Sequence, residues 1–422
     1  MRFAFKSLDM KKIFLLPIAL FLFQFSFSQT QLTNNFEQFA IQQDSLFVKL
    51  YEQRNTSAYE IQLKAFLTKY NSLDSSNKKN YNGNLINAYY NLCCTYSLIN
   101  NKNSALHYLA KSLESGYNNY YHILEDSDLN NIRNEKSFKV LVEPLKEIGD
   151  YLYILKKAKL YNTSEKRELP EFSYQSSDNP NLAALRKELN LDSIAGNGND
   201  ISKMLSLMHW IHNLIPHDGN HENPVVKNAM SMIAVCKKDN RGLNCRGLAT
   251  VLNECYLSLG FKSRFVTCLP KDSLGVDNDC HVINMVYSNS LKKWIWIDPT
   301  FDTYVMNEKG ELLSIEEVRE RIINDKPLII SPDANWNHKV SETKEYYLNY
   351  YMAKNLYRLE CSASSEYDLE TRTSGKMITY IELLPLDYFR QTPQKSESSN
   401  KINKTIFISY KTNNPLTFWQ RP

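Results

Sequence analysis

The sequence has almost no excess of charge of either sign, and its lysine and arginine residues form no basic stripe. The chain has 422 residues with 50 Lys+Arg and 46 Asp+Glu, which gives a formal net charge of +4. Removal of residues 1–28 would lower the net charge to +1. A near-neutral chain of this kind gives no reason to expect nucleic-acid binding.

Long apolar runs are also missing, with one exception near the N-terminus. Residues 10–28 read MKKIFLLPIALFLFQFSFS, so a lysine-rich start precedes an apolar run and small residues. This order is typical of a signal peptide, and we predict cleavage after Ser28. An uncleaved anchor helix is the alternative, but the run is short for a membrane span. We therefore expect an exported protein, periplasmic or extracellular, with no transmembrane span after signal cleavage.

The eight cysteines and eight histidines form none of the spacings typical of disulfide frameworks or metal sites. No CxxC pair occurs, so the sequence assigns no disulfide. Cys255 falls on an apolar helix face and is predicted to be a small core residue. His209, His212, His217 and His221 lie close in sequence, but no HExxH arrangement accompanies them. We interpret this cluster as a helix end and a polar loop, and we predict no metal and no cofactor.

The chain is long enough for two or more domains, and 43% of its residues are hydrophobic, enough to fill their cores. Residues 29–160 have helical periodicity. One pair of segments fits tetratricopeptide spacing, in which small residues let two helices cross closely. We prefer a helical spacer to a docking groove for a protein partner, because only one repeat is clear. The repeat pattern comprises Tyr89, Leu92, Cys93, Tyr96, Ala105, Leu109 and Ser112.

Two further segments flank the central part of the chain. Residues 161–179 are polar, contain two turn-forming clusters and are predicted to be a linker. Residues 346–422 are predicted to form an aromatic helix and a small β extension, with strand-like runs at 377–384 and 405–410. The aromatic run at 346–359 could line a substrate groove, but such runs more often belong to a core.

The central stretch begins with a cysteine at a predicted helix start. Asn244 is a good N-cap residue, so the helix is predicted to begin near Cys245. Apolar residues follow at the spacing of one buried face, and Gly260 suits the end of the helix. Unpaired N–H groups and a positive dipole in the first turn favour a thiolate and can hold a developing oxyanion. Cys245 is therefore a candidate nucleophile.

A predicted hairpin follows, with a histidine at its start and an aspartate at its end. Two β-rich runs, 281–287 and 294–298, flank a short turn. A turn centred on 289–290 places His281 directly opposite Asp298, with a Cβ separation of about 4.5–5.5 Å. The aspartate can then hold one imidazole nitrogen while the other faces a thiol. The second run is apolar on both faces, so we expect a central strand that the cysteine helix covers.

Together these elements resemble the transglutaminase-like superfamily over about residues 180–345. The resemblance rests on a Gly-x-x-Cys helix start, a strand, a His-initiated strand and the strand end WIWIDPT. It implies an α+β core related to papain-type proteases, with Cys245, His281 and Asp298 as the catalytic triad. Arg246 stands where animal cross-linking enzymes have an aromatic residue, and no acidic calcium-binding loop is evident. Calcium-dependent cross-linking is therefore not expected.

The resemblance implies an exported thiol-dependent enzyme that acts on amide bonds of a protein or peptide. Hydrolysis would make it a peptidase or amidase, and an amine acceptor would give transamidation. In this scheme Cys245 attacks the carbonyl, His281 transfers the proton and Asp298 orients His281. Asn244 and Trp296 are candidates for oxyanion or substrate binding, and the backbone N–H of Cys245 is a better one. The competing hypothesis is a non-enzymatic binding module that docks a partner through the helical repeats.

Overall fold

The computed structural model describes residues 30–271 and 279–422. The chain divides into two compact units between Asp150 and Tyr151, which we call the helical unit and the sheet unit. The predicted signal peptide, residues 1–28, lies outside the described residues, so its cleavage stays a prediction. Within the described ranges, no helix is long and apolar enough to cross a membrane.

The helical unit consists of helices, as the periodicity of its sequence predicts. In the pair that carries the repeat pattern, Ala105, Leu109 and Ser112 are fully buried, and the Ser112 hydroxyl donates to the Ile86 carbonyl at 3.0 Å. Small side chains therefore let these two helices approach closely. The preferred helical spacer and the alternative docking groove both stay predictions. The helices are α1 (Thr30–Glu52), α2 (Thr56–Asn71), α3 (Ser75–Asn80), α4 (Asn82–Leu98), α5 (Lys102–Glu114), α6 (Tyr120–Glu125), α7 (Lys136–Val142) and α8 (Lys146–Gly149).

The sheet unit adds further helices and all of the described strands. Its helices are α9 (Tyr151–Lys157), α10 (Pro180–Glu188), α11 (Leu191–Ala195), α12 (Asp200–Leu214), α13 (Ala229–Asp239), α14 (Cys245–Ser258), α15 (Ile315–Ile323), α16 (Ala353–Asn355) and α17 (Pro415–Phe418), with a π-helix at Glu345–Met352. Its strands are β1 (Ser173–Tyr174), β2 (Ser263–Leu269), β3 (His281–Ser288), β4 (Lys293–Ile297), β5 (Val305–Met306), β6 (Ile329–Ile330), β7 (Asn335–Trp336), β8 (Val340–Ser341), β9 (Arg358–Ser362), β10 (Ser364–Ser365), β11 (Met377–Leu383), β12 (Lys395–Ser399) and β13 (Ile406–Thr412).

A seven-stranded sheet organises this unit. Its strand order is β12-β13-β11-β9-β2-β3-β4, and all neighbours are antiparallel except the parallel pair β11 and β13. Four of the seven strands come from residues 346–422. The region predicted as a small β extension is therefore built directly onto the predicted catalytic core, because β9 pairs with β2. The fold is α+β with a helical N-terminal region, as predicted.

Hydrophobic residues cover both faces of the sheet. Ile295 and Ile297 face α10, α12, α13 and α14, whereas Trp294 and Trp296 face α15, the π-helix and α16. The alternation predicted for β4 is thus confirmed, and helix α14 covers one of its faces. The prediction of a central strand is wrong, since β4 is the edge strand of the sheet. Its outer edge is covered by the chain itself, because the backbone N–H of Trp296 donates to the Leu313 carbonyl at 2.9 Å.

The sheet unit begins earlier in sequence than the predicted boundary at residue 160. Leu155 of α9 is fully buried in the core of this unit. Part of the segment 161–179, predicted as a linker, is also attached to it. Arg167 donates to the Lys411 carbonyl at 2.9 Å, and β1 pairs with β10. Residues from this segment therefore contribute to the folded unit.

Candidate active site

Helix α14 begins at Cys245, and two asparagines hold its first turn. The Asn244 side chain accepts from the Gly247 N–H at 3.1 Å, which is N-cap geometry. Asn223 brackets Asn244 in turn. Its Nδ2 donates to Asn244 Oδ1 at 2.7 Å, and its Oδ1 accepts from the Asn244 N–H at 3.1 Å. Cys245 is thereby fixed at the positive end of a helix dipole.

The two hydrogen bonds between Asn223 and Asn244, which we call the asparagine clamp, depend on a glycine at position 247. A Cβ there would lie 2.6 Å from Asn223 Oδ1 and 2.9 Å from its Nδ2. Gly247→Ala must therefore displace the Asn223 amide and weaken both of its hydrogen bonds to Asn244. We expect it to lower the free energy of unfolding of the sheet unit by about 1–3 kcal/mol, measured by urea denaturation.

The matched control is Gly83→Ala, which also changes a glycine in the first turn of a helix. A Cβ at Gly83 would meet nothing within 4 Å. The control is expected to be neutral or to stabilise by up to about 1 kcal/mol, because alanine favours helices more than glycine does. Unfolding midpoints equal to wild type in both variants would contradict the clamp.

His281 opens β3 and Asp298 directly follows β4, and the structure brings the two side chains together. His281 Nε2 donates to Asp298 Oδ2 at 2.7 Å, and both residues are fully buried. The predicted register is nevertheless wrong by two residues, because Met285 lies opposite Trp296. His281 and Asp298 are therefore diagonal neighbours on one face, and their side chains span the larger gap.

The register differs because the turn is longer than the sequence suggested. Strands β3 and β4 are joined by residues 289–292. Asp200 holds this turn by accepting from the Ser290 N–H at 3.0 Å and from the Ser288 and Ser290 hydroxyls at 2.7 and 2.6 Å. Since strand side chains alternate with a period of two, a shift of two residues keeps each on its predicted face. The His–Asp contact therefore survives the register error.

Four donors surround the Asp298 carboxylate. Oδ1 accepts from the N–H groups of Thr300 and Phe301 at 2.9 and 3.4 Å. Oδ2, which binds His281, also accepts from the Tyr347 hydroxyl at 2.6 Å. Sequence reasoning missed Tyr347, which lies in an aromatic run. Its only signal is general, namely that a buried tyrosine hydroxyl usually needs a partner.

The charge of Asp298 controls the protonation of His281. Burial lowers the pKa of His281, but the charge and hydrogen bond of Asp298, with smaller contributions from Cys245, raise it to about 10. His281 is therefore protonated at neutral pH. Among the described residues, Nδ1 has no partner within strict hydrogen-bond limits, yet the Cys245 thiol is near enough to interact with the ring. Cys245 Sγ also lies 4.0 Å from the carbonyl oxygen of Cys280, the residue that directly precedes His281.

Aromatic residues enclose the imidazole. The His281 ring meets Phe301 and Tyr351 edge-on, with centroid distances of 5.5 and 5.2 Å. Trp336 packs on Phe301 at 5.1 Å and on His217 at 4.5 Å. Burial lowers the pKa of His217 to about 3, so this neighbouring imidazole is neutral. The apolar surroundings strengthen the attraction between His281 and Asp298.

The predicted oxyanion donors are placed differently. Trp296 is fully buried and its single side-chain N–H donates to the Tyr347 hydroxyl at 3.2 Å. The prediction for Trp296 is therefore wrong, because that N–H has no access to a substrate. The Asn244 side-chain oxygen caps α14, so its evident role is to position Cys245. The backbone N–H of Cys245 stays the better candidate, since first-turn N–H groups have no partner within the helix.

Arg246, which departs from the aromatic residue of animal cross-linking enzymes, connects α14 to the sheet. Its Nη2 donates to the Thr267 hydroxyl at 2.8 Å, and its Nη1 pairs with Glu370 at 3.3 Å. All eight cysteines of the chain are free. Cys245 and Cys280 are partly exposed, whereas Cys255 is buried, as predicted for a core residue.

The histidines near residues 209–221 have partners within the protein. Over residues 30–271 and 279–422, no group of three or more His, Cys, Asp or Glu side chains could hold a metal ion. Each of these histidines instead contacts another side chain of the protein. Their contacts are His209 with Asp302 at 2.6 Å, His212 with Asn335 at 2.9 Å, His217 with Trp336 at 4.5 Å between centroids, and His221 with Asp218 at 2.6 Å.

Comparison with known proteins finds a family match for the part of the chain that contains this site. Residues 187–299 match the family model of the transglutaminase-like superfamily. A solved structure from Cytophaga hutchinsonii, provisionally named a cysteine protease, is 19% identical over 35% of this chain, with a TM-score of 0.22. The match spans 46% of that chain. A search of curated proteins finds no match. Residues 187–299, which include Cys245, His281 and Asp298, are therefore similar to the core domain of the transglutaminase-like superfamily.

Proposed function

We propose that this protein is a cysteine-dependent acyl-transfer enzyme that hydrolyses amide bonds in a protein or peptide, as a peptidase or amidase. The observation that carries the proposal is the placement of His281. Its Nε2 is committed to Asp298 at 2.7 Å, which leaves Nδ1 for the Cys245 thiol. A cysteine nucleophile needs this arrangement of a base and an orienting carboxylate. The reaction requires no metal and no cofactor.

The proposed reaction begins with the Cys245 thiolate paired with the protonated His281. The thiolate attacks the amide carbonyl, and the backbone N–H of Cys245 stabilises the resulting oxyanion. His281 then donates its proton to the nitrogen of the leaving amine, and the C–N bond breaks. An acyl-enzyme thioester and a neutral His281 remain. His281 next takes a proton from water, whose oxygen attacks the thioester, and the C–S bond breaks to release the acid product and restore the Cys245 thiolate beside protonated His281.

Transamidation is the second outcome that this chemistry allows. An amine would take the place of water and attack the same thioester, so the residues and their roles would not change. We propose water as the acceptor. We further propose that the protein is exported, because residues 10–28 have the order of a signal peptide.

The test is incubation of the purified protein with a peptide pool, a glutamine-amide pool and a muropeptide pool, followed by mass spectrometry. Hydrolysis predicts products that gain one water for each bond cleaved, and transamidation predicts products that exchange ammonia for an added amine. Cys245→Ala should abolish both. If the wild-type protein forms no product from any pool, the non-enzymatic binding module becomes the preferred function.

A further inference from the structure

A buried tyrosine and a buried tryptophan extend the chain of hydrogen bonds behind His281. Trp296 Nε1 donates to the Tyr347 hydroxyl at 3.2 Å, and that hydroxyl donates to Asp298 Oδ2 at 2.6 Å. The same oxygen accepts from His281 Nε2 at 2.7 Å. All four residues are fully buried, so water does not compete for these contacts.

The helix that carries Tyr347 is a π-helix, Glu345–Met352. Helices of this kind are rare and often occur at functional sites. Tyr346 and Tyr351, five residues apart, stack with an interplanar angle of 8°, and Tyr351 meets the His281 ring at 5.2 Å. Two tyrosines of one helix therefore reach the same His–Asp pair, Tyr351 through its ring and Tyr347 through its hydroxyl.

We infer that Tyr347 is a positioning residue of the proposed acyl-transfer site, which fixes Asp298 Oδ2 and limits how firmly Asp298 holds the proton of His281. The inference rests on the proposed function. Two donors share one carboxylate oxygen, so each reduces the negative charge available to the other. The Trp296 N–H polarises the Tyr347 hydroxyl and makes it a stronger donor. Burial and the charge of Asp298 raise the pKa of Tyr347 far above its usual value, so the hydroxyl keeps its proton.

The proposed reaction requires that Asp298 does not hold the proton of His281 too firmly. His281 must hold a proton beside the Cys245 thiolate before the attack, and it must release that proton to the leaving amine afterwards. A carboxylate without a competing donor would favour the first requirement at the expense of the second. By limiting how firmly Asp298 holds this proton, Tyr347 therefore allows His281 both to carry it and to release it.

Several titratable groups lie around the His281–Asp298 pair, and Asp298 and Cys245 are the ones that raise the pKa of His281. The groups come from helix α14, from strand β2, from the segments around residues 217 and 279–280, from the end of β4 and from the π-helix. They are Cys245, Cys268, His217, Asp279, Cys280, Asp298, Tyr347 and Tyr351.

The test is the NMR titration of His281 in full-length protein that carries labelled histidine, with the resonance assigned from the spectrum of His281→Ala. The wild-type midpoint is expected at about 10. Tyr347→Phe should raise the midpoint by about one pH unit, because a hydrogen bond to a charged group contributes about that much. The matched control is Tyr351→Phe. Its hydroxyl contacts Asp279 at 3.4 Å rather than Asp298, so the midpoint should stay at the wild-type value.

An unchanged or lowered midpoint in Tyr347→Phe would overturn the inference, as would equal shifts in the two variants. If Tyr347→Phe does not fold, Trp296→Phe provides the test, because loss of its N–H should weaken the Tyr347 donor and raise the midpoint by a smaller amount. Failure of the proposed function has a different signature. In that case His281→Ala would leave the alkylation rate of Cys245 unchanged, whatever the titration of His281 shows.

Discussion

Replacement of Asp298 by asparagine is expected to lower the rate of acyl transfer by about 10⁴-fold, the size of effect seen when a buried aspartate of this role is removed. The neutral amide cannot offset the burial of His281, which by itself lowers the pKa of the imidazole. His281 would then be neutral at pH 7 and unable to pair with the Cys245 thiolate. The rate should be measured on a substrate identified in the pools, or as release of p-nitrophenol from p-nitrophenyl acetate.

The matched control is Asp302→Asn, which removes a second buried aspartate from the same loop. Asp302 binds His209 at 2.6 Å and contacts neither Cys245 nor His281 in the described structure. The Asp302→Asn variant should be less stable, because a largely buried His–Asp pair is broken. Its rate of acyl transfer should be nearly unchanged. Equal losses of rate in the two variants would mean that Asp298 acts only through the fold.

A chain that ends at residue 345 is expected not to fold into a stable sheet unit, although it contains Cys245, His281, Asp298 and the whole family-matched segment. It would lack β9, β11, β12 and β13, which are four of the seven strands of the central sheet. It would also expose the edge of β2, where Cys268 lies opposite Leu359. Far-UV circular dichroism and urea denaturation should show loss of a cooperative transition for this unit.

The control for the truncation is a chain of residues 151–422, which lacks the helical unit and keeps the sheet intact. This chain corresponds to one compact unit and should unfold cooperatively. A cooperative transition in the chain that ends at residue 345 would show that the C-terminal strands are accessory to the fold.

Local sequence signals were sufficient for the parts of the site that depend on neighbouring residues. The start of α14 follows from Asn244, since an N-cap acts within one helical turn. The shared face of His281 and Asp298 follows from strand alternation, which tolerates the register error of two residues. The family resemblance adds the order of the three residues, and residues 187–299 match that family.

Other features depend on contacts between residues far apart in sequence. The edge position of β4 is set by the order of all seven strands, and no local pattern in KWIWI distinguishes an edge strand whose edge is covered from a central one. The partner of Trp296 is Tyr347, 51 residues away. The clamp on Asn244 comes from Asn223, 21 residues earlier. Asparagine and tyrosine side chains bind many partners, so their composition alone did not predict these contacts.

The central claim is that His281 activates Cys245, and the most direct measurement is the rate of iodoacetamide alkylation of each cysteine near pH 6, followed by peptide mass mapping. We predict that Cys245 reacts much faster than Cys280, the other partly exposed cysteine, and that His281→Ala abolishes this difference. Alkylation of Cys245 no faster than that of Cys280 or buried Cys255, or an unchanged rate in His281→Ala, would contradict the claim.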